Sequence, residues 1–505
     1  MALRAAASHM FAARSPISVP VLDRLGRVDP LYVGVGLAAA VFALVAAFTH
    51  PNRRAILSFA LGVTAGLVAV QIFRIHAFTI MAVIYALLPE SPRNRLSLKY
   101  VAVMLISALL LASTVLLGEL VNSATLGLQL LGLAASAAIV AWRARPQDAT
   151  AMVWGLLVVS TFGSAVGVLQ VFRIIPMDLW HLDVSAIGRP TGIYPEPDWL
   201  GMFSGVGLIL GWRLSMPRAA KVGFVLTNLM VFVLAMARAA WVALAASLLL
   251  LWIVSVVSNR KRSHPESEGK ARRGRLAAVV VTITVSVVAL SAVPQLQQDL
   301  SVRLSSMTGT VQEDDISGQA RIRQNDSLMV LARTVPLYGH GLSAAGRVGV
   351  WGQIDTVGES GNNVASNWII GMWVDGAFFA VPLILFLICL ALARLRTPAG
   401  HLLLFCLISS LFSNAVFFPV TWILVGLAII AHGGARLEGQ PEASMQEFSP
   451  AEPFRAPSLM RSALGIVRES AQQAAFLASP RLQLKHPKHR LGQPFLNRVA
   501  DLLHR

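Results

Sequence analysis

Eight arginines pose the chemical question. Arg173, Arg189, Arg238, Arg303, Arg321, Arg323, Arg333 and Arg347 fall in two long polar segments or at the edges of apolar runs, and no lysine lies in either segment. A guanidinium keeps its charge when partly buried and presents a planar fork of donors matched to phosphate oxygens. A group of them on one side points to a pyrophosphate or another polyanion. Arg238, in MARAAW, lies between two apolar runs with no acid near it in sequence, and a charge at membrane depth is a functional-site hypothesis. The competing reading is that these side chains snorkel to lipid head groups or pair with Glu196, Asp198, Glu313, Asp314 and Asp315. Taken singly, Arg303, Arg333 and Arg347 fit that reading. Arg189, Arg238 and Arg321 come from three separate segments and together fit a binding cluster, which Arg323 would extend.

Candidate bases lie close to these arginines. Glu196 and Asp198 follow Arg189 in GRPTGIYPEPDWLG, His340 sits in a Gly-His-Gly turn, and Glu359 and Asp375 lie further on. Asp375 falls at membrane depth, where an acid is more often a structural partner for an arginine. Trp351, with Gln353, Asp355, Glu359, Asn362 and Asn363, has the aromatic face and hydrogen-bonding rim that suit a sugar ring. An ordinary Gly/Asn loop with Trp351 anchored at an interface is the alternative. No Asp/Glu pair in these segments has metal-ligand spacing, so metal independence is expected, with no cofactor. Cys389 and Cys406, the two cysteines, lie in apolar runs and exclude disulfide frameworks, thiolate zinc sites and iron–sulfur clusters. There is no Walker loop, HExxH or CxxC motif.

The elements that must carry these residues are apolar helices. Of 505 residues, 55 % are hydrophobic and 13 % charged, and the mean hydropathy is +0.65. A bilayer core takes about 20 apolar helical residues. Candidate spans cover 31–48, 55–73, 77–88, 100–117, 124–142, 151–172, 200–212, 222–237, 239–257, 276–293, 368–392, 402–412 and 415–431. The fold class expected is an all-α integral membrane protein of about twelve or thirteen transmembrane helices. The count is twelve, with both termini on one side, if 55–73 and 77–88 are one broken element.

Forty-two Lys+Arg against 25 Asp+Glu give a net charge of +17. On a soluble domain this would suggest nucleic acid; between apolar runs it fixes topology, because short loops rich in Lys and Arg stay cytoplasmic. The stretches 93–99, 143–145, 213–221, 259–275 and 394–396 all fall on that side. The segment 1–30, with Arg4, Arg14, Arg24 and Arg27 and no cleavage pattern before the first span, joins them. A first helical block, 31–293, then carries an outer loop at 173–198. A large extracytoplasmic loop at 294–365 carries short helices, including one that Ser317 can cap and Pro336 terminates, with Arg321, Asn325 and Leu328 on one face. The last spans fill 366–431, and 432–505 reads as a basic, mostly disordered cytoplasmic tail resting on anionic lipid.

The order of segments resembles the O-antigen ligase and polymerase family of membrane enzymes acting on undecaprenyl-pyrophosphate-linked glycans. GRPTGIYPEPDWLG resembles the family's Arg-Gly-Pro-Asn stretch, MARAAWVAL its Ser-Arg-Gly stretch, and GQARIRQNDSLMVLARTVPLYGHGLSAAG its Gly-Arg helix followed by Pro-Leu-x-Gly-x-Gly. The likeness covers 173–392, about half the chain. It implies that Arg189, Arg238 and Arg321 grip the lipid pyrophosphate. It also implies inverting, metal-independent transfer to a sugar hydroxyl on the outer face of a bacterial cytoplasmic membrane, with a chain-length regulator or other polysaccharide-assembly proteins as possible partners and no nucleic acid. The family's ligases carry a His-Asn pair where Ser366-Asn367 stands here. The serine favours a polymerase-like or other glycan-transferring member over a ligase. A transporter or flippase for the same lipid-linked glycan, or a non-catalytic envelope-assembly subunit, would also want outer arginines.

Overall fold

The computed structural model describes residues 50, 52–72, 74–88, 98–117, 124–175, 189–259, 316–349, 365, 367–413 and 415–435. All lie in the first of two compact units, Met1–Leu437. The expected spans 31–48 and 276–293 and the tail from 436 fall outside the described residues.

The described residues are mostly helical. In chain order the helices are α1 (Arg53–Gly66), α2 (Ala77–Ala86), α3 (Leu98–Leu117), α4 (Ala124–Arg143), α5 (Pro146–Val171), α6 (Pro197–Arg213), α7 (Arg218–Leu234), α8 (Arg238–Asn259), α9 (Ile316–Arg333), α10 (Trp368–Gly376), α11 (Val381–Ala393), α12 (Pro398–Ser413) and α13 (Pro419–Ala435). Four of them, α3, α4, α5 and the stretch Arg238–Ser255 of α8, are long and apolar enough to cross a membrane. Their outward faces are apolar too: Ile106, Leu109 and Leu116 on α3, Phe162 on α5, and Leu249 and Trp252 on α8 are all exposed. Apolar exteriors of this extent suit lipid rather than water.

Small residues set the closest helix crossings, as expected where neighbouring side chains and lipid tails are equally apolar. A methyl group on Gly62 of α1 would strike the Met152 carbonyl oxygen of α5, and one on Gly155 of α5 would strike that of Phe59. The crossing is locked at one end by polar groups. Asp148 accepts from Arg54 Nε at 2.7 Å, the Tyr85 hydroxyl at 2.9 Å and the Arg145 backbone N–H at 2.9 Å. Arg143 donates to the carbonyls of Ala86 and Leu88.

These contacts correct one expectation. Arg54 opens α1 and Tyr85 lies near the end of α2, and Arg54 Nη2 donates to the Tyr85 hydroxyl at 3.2 Å. The two helices are joined by a two-residue antiparallel ribbon, β1 (Gln71–Ile72) with β2 (Ile75–His76). Segment 53–86 is therefore a hairpin that returns to its own end and not one broken crossing. The reason is local: Gln71, Arg74 and His76 interrupt the apolar run and supply a turn, which Gln129 of α4 holds by donating to the Arg74 carbonyl at 2.7 Å.

A second difference lies at 368–392, expected as one span. Ala377, with φ +40°, separates α10 from α11, and Pro382 starts the new helix. The main core passes through α1–α8 and α10–α13, while Leu328, Ala344, Ala345, Val348, Ala365 and Val374 form a small second core joining α9 to α10.

Candidate functional site

The end of the bundle opposite Arg54 and Asp148 carries the turn 189–196, and a single side chain organises it. Gln170, buried at the end of α5, accepts from the backbone N–H groups of Thr191 at 3.0 Å and Gly192 at 2.7 Å. Gly192 has φ +60°, and a side chain there would meet the Gly163 carbonyl. The turn thus lies directly on α5, which only glycine at this position allows. Tyr194 anchors the next step: its ring stacks on Phe203 at 4.5 Å, and its buried hydroxyl has no hydrogen-bond partner among the described residues. Burial pushes that phenol well above its ordinary pKa, so it stays protonated.

At the mouth of the turn, Arg189 Nη2 meets Asp198 Oδ1 at 2.8 Å, both half-buried. Asp198 sits in the first turn of α6, where helix N–H groups already favour negative charge. Arg189 Nε is buried without a hydrogen-bond partner among the described residues. Glu196, half-buried, precedes α6 at its N-cap position and makes no side-chain capping bond.

Arg238 arrives from a different pair of helices. The α7–α8 turn reverses at Met236, with φ +49°, and Trp241 Nε1 closes it by donating to the Phe232 carbonyl at 2.9 Å. Ala237 then packs against Gly201 so closely that a methyl on the glycine would overlap it. Gly201 lies three residues after Asp198, one helical turn. Half-buried Arg238 therefore starts α8 beside the first turns of α6, in the same corner as the Arg189–Asp198 pair.

Around α10 a second assembly forms. The turn after α9 wraps its C-terminal end, with the N–H groups of His340 and Gly341 bonding the carbonyls of Val374 and Asp375, both at 2.9 Å. Gly339, with φ +80°, lies against the Asp375 backbone. The Asp375 carboxylate, 3 % exposed, accepts the Ala345 N–H at 2.8 Å and is also bonded by the backbone of Ser343 and Ala344. Its partners are thus backbone amides and not an arginine, and it holds the turn to the helix. Asn367 accepts from the N–H groups of Ile369 and Ile370, so its side chain caps α10. His340 is half-buried, and its Nε2 is buried without a hydrogen-bond partner among the described residues.

On α9, Leu328 is fully buried and the Asn325 side-chain oxygen is buried, as their shared face requires. Arg323 is exposed and off that face. The Arg321 side chain lies outside the described residues, as do Trp351, Glu359, Asn362, Asn363 and Ser366.

The structure therefore joins Arg189, Glu196, Asp198 and Arg238 in one corner and puts Arg323, His340 and Asn367 in the α9–α10 assembly. Two residues gained weight that their sequence context did not give them. In the sequence Gln170 is a single polar residue near the end of an apolar run. Arg347, which singly suggested a snorkelling side chain, is only 4 % exposed on a short 3-10 helix, Ala345–Arg347. Among the described residues no three His, Cys, Asp or Glu side chains group as metal ligands. No family model matches the chain, and no curated protein matches it.

Proposed function

We propose that the chain is a polytopic enzyme of a bacterial cytoplasmic membrane that transfers a glycan from an undecaprenyl-pyrophosphate-linked donor to a sugar hydroxyl, on the face where Arg189 and Arg238 lie. The observation that carries the reading is that the separate segments bearing these two arginines both meet the first turns of α6, at Asp198 and at Gly201. The likeness of three motifs to O-antigen ligases and polymerases supports it. Asp198 holds one edge of Arg189, which orients the guanidinium and leaves its buried Nε for a ligand.

In the proposed reaction the acceptor oxygen attacks the anomeric carbon, the bond from that carbon to the pyrophosphate oxygen breaks, and the leaving group takes the electron pair. Arg189 and Arg238 stabilise the charge as it builds on the pyrophosphate, a role that the resemblance extends to Arg321. Glu196, His340 and Glu359 are the candidates to take the hydroxyl proton, Asp198 being committed to Arg189. The donor reaches the corner from the lipid side, past the apolar faces of the helices. The α1–α2 hairpin, with helices of 14 and 10 residues, returns to its own end and so does not supply the single crossing that an even count of twelve requires.

Alanine substitution of Arg189, Arg238 and Arg321 in cells, with glycan chain length resolved on a gel, tests the reading. Loss of polymer with lipid-linked precursor accumulating on the outer leaflet is expected. Accumulation on the inner leaflet would instead make the chain a flippase, and normal polymer would remove both roles.

A further inference from the structure

At the end of the bundle opposite Arg189, basic side chains from several elements meet without an ion-pair partner among the described residues. Arg213 closes α6, Arg394 and Arg396 lie in the turn between α11 and α12, and His401 sits in the first turn of α12. Arg213 Nη1 donates to the Arg396 carbonyl at 3.3 Å, and Arg396 Nη2 donates to the Val254 carbonyl of α8 at 3.1 Å. The turn is held tightly: Thr397 Oγ1 donates to the Arg394 carbonyl at 2.8 Å and accepts the Gly400 N–H at 3.1 Å. A methyl on Gly400 would strike the Arg394 carbonyl.

Carbonyls satisfy only part of this donor set. His401 is 2 % exposed, and neither ring nitrogen has a hydrogen-bond partner among the described residues. Arg213 Nη2 and Arg394 Nε are also buried and unmatched among those residues. The ion pairs among the described residues, Arg54–Asp148 and Arg189–Asp198, involve none of these side chains. Burial holds the Arg394 guanidinium below its ordinary pKa. Three guanidinium groups beside a buried imidazole, with no carboxylate paired to them among the described residues, leave unspent donors that an anion would match.

The flank of the cluster says which kind of anion. Trp212 precedes Arg213, and Trp252 and Ile253 precede Val254; all three are exposed. Indole rings beside cations at a helix end are the composition of a membrane interface. Basic pockets between helices at that level bind lipid phosphates.

We propose that Arg213, Arg394, Arg396 and His401 form a binding site for the phosphate of an anionic lipid head group. The guanidinium groups grip the phosphate oxygens, His401 hydrogen-bonds one of them or a head-group hydroxyl, and Trp212 and Trp252 border the acyl chains. The site rests on the chain crossing a membrane and is independent of glycan transfer, because it lies at the other end from Arg189 and Arg238.

Native mass spectrometry of the full chain, released from phosphatidylcholine vesicles with and without phosphatidylglycerol, reads retained lipid directly. The wild type is expected to keep phosphatidylglycerol in preference to phosphatidylcholine, and phosphatidylglycerol is expected to raise its thermal midpoint. Arg396→Gln, at an exposed position that leaves the fold intact, should weaken retention by about tenfold, the scale of one charge-assisted contact. Arg213→Gln/Arg396→Gln should abolish both effects, while Arg218→Gln, an exposed arginine outside the cluster, should change neither. Equal retention in wild type and Arg396→Gln overturns the proposal. An equal thermal shift from inorganic phosphate in phosphatidylcholine alone overturns the lipid as the source.

Discussion

Arg189 is placed by its neighbours. Its charge is directed by Asp198, and the turn that carries it hangs on one buried amide, Gln170. Gln170→Leu keeps the volume but strips the acceptor from two backbone N–H groups, a loss of about 2 kcal/mol. We expect shortened polymer at unchanged protein level, measured by gel and immunoblot, because the fault lies in the turn more than in the helices. Asp375 predicts the opposite pattern. Its carboxylate meets the backbone of three successive residues, so Asp375→Ala should lower the thermal midpoint in detergent by the equivalent of about 3 kcal/mol, and Asp375→Asn by less, since an amide oxygen still accepts. At this scale Asp198 was readable as a partner of Arg189, because it lies within ten residues of it. The amide cradle of Asp375 was not, because it depends on backbone angles at Gly339, Gly341 and Ser343 that the letters GHGLS only hint at.

Helices were read well where the apolar run is long and its ends are charged or proline-marked. The expected 100–117 and 124–142 became Leu98–Leu117 and Ala124–Arg143. The two helices of the hairpin at 53–86 were legible as the separate candidates 55–73 and 77–88, but whether they make one broken crossing or a hairpin was not, because the cross-strand pairing is not local information. The break at Ala377 had a sign in Gly376 and Pro382, yet hydropathy alone runs through both. Close crossings offer a prediction at this scale. Gly155→Val should drive α1 from α5 and lower the thermal midpoint and membrane yield, by about 1–3 kcal/mol for overpacking. An unchanged midpoint would mean that the Gly62–Gly155 contact is not tight.

Across the whole molecule the charge asymmetry becomes a geometry. Arg54, Arg143, Arg213 and Arg396 gather at one end of the bundle, and Arg74, Arg189 and Arg238 at the other. Single cysteines in a cysteine-free background at positions 74 and 396 should react with a membrane-impermeant maleimide from opposite sides, with 396 labelled only after permeabilisation. Labelling of both from one side would overturn the topology. The most direct test of the central claim is binding of undecaprenyl pyrophosphate to the full chain in nanodiscs, with undecaprenol as the phosphate-free control. Arg189→Ala and Arg238→Ala should each weaken the pyrophosphate by about tenfold or more and leave undecaprenol unchanged. Equal affinity of both variants and the wild type for undecaprenyl pyrophosphate would contradict it.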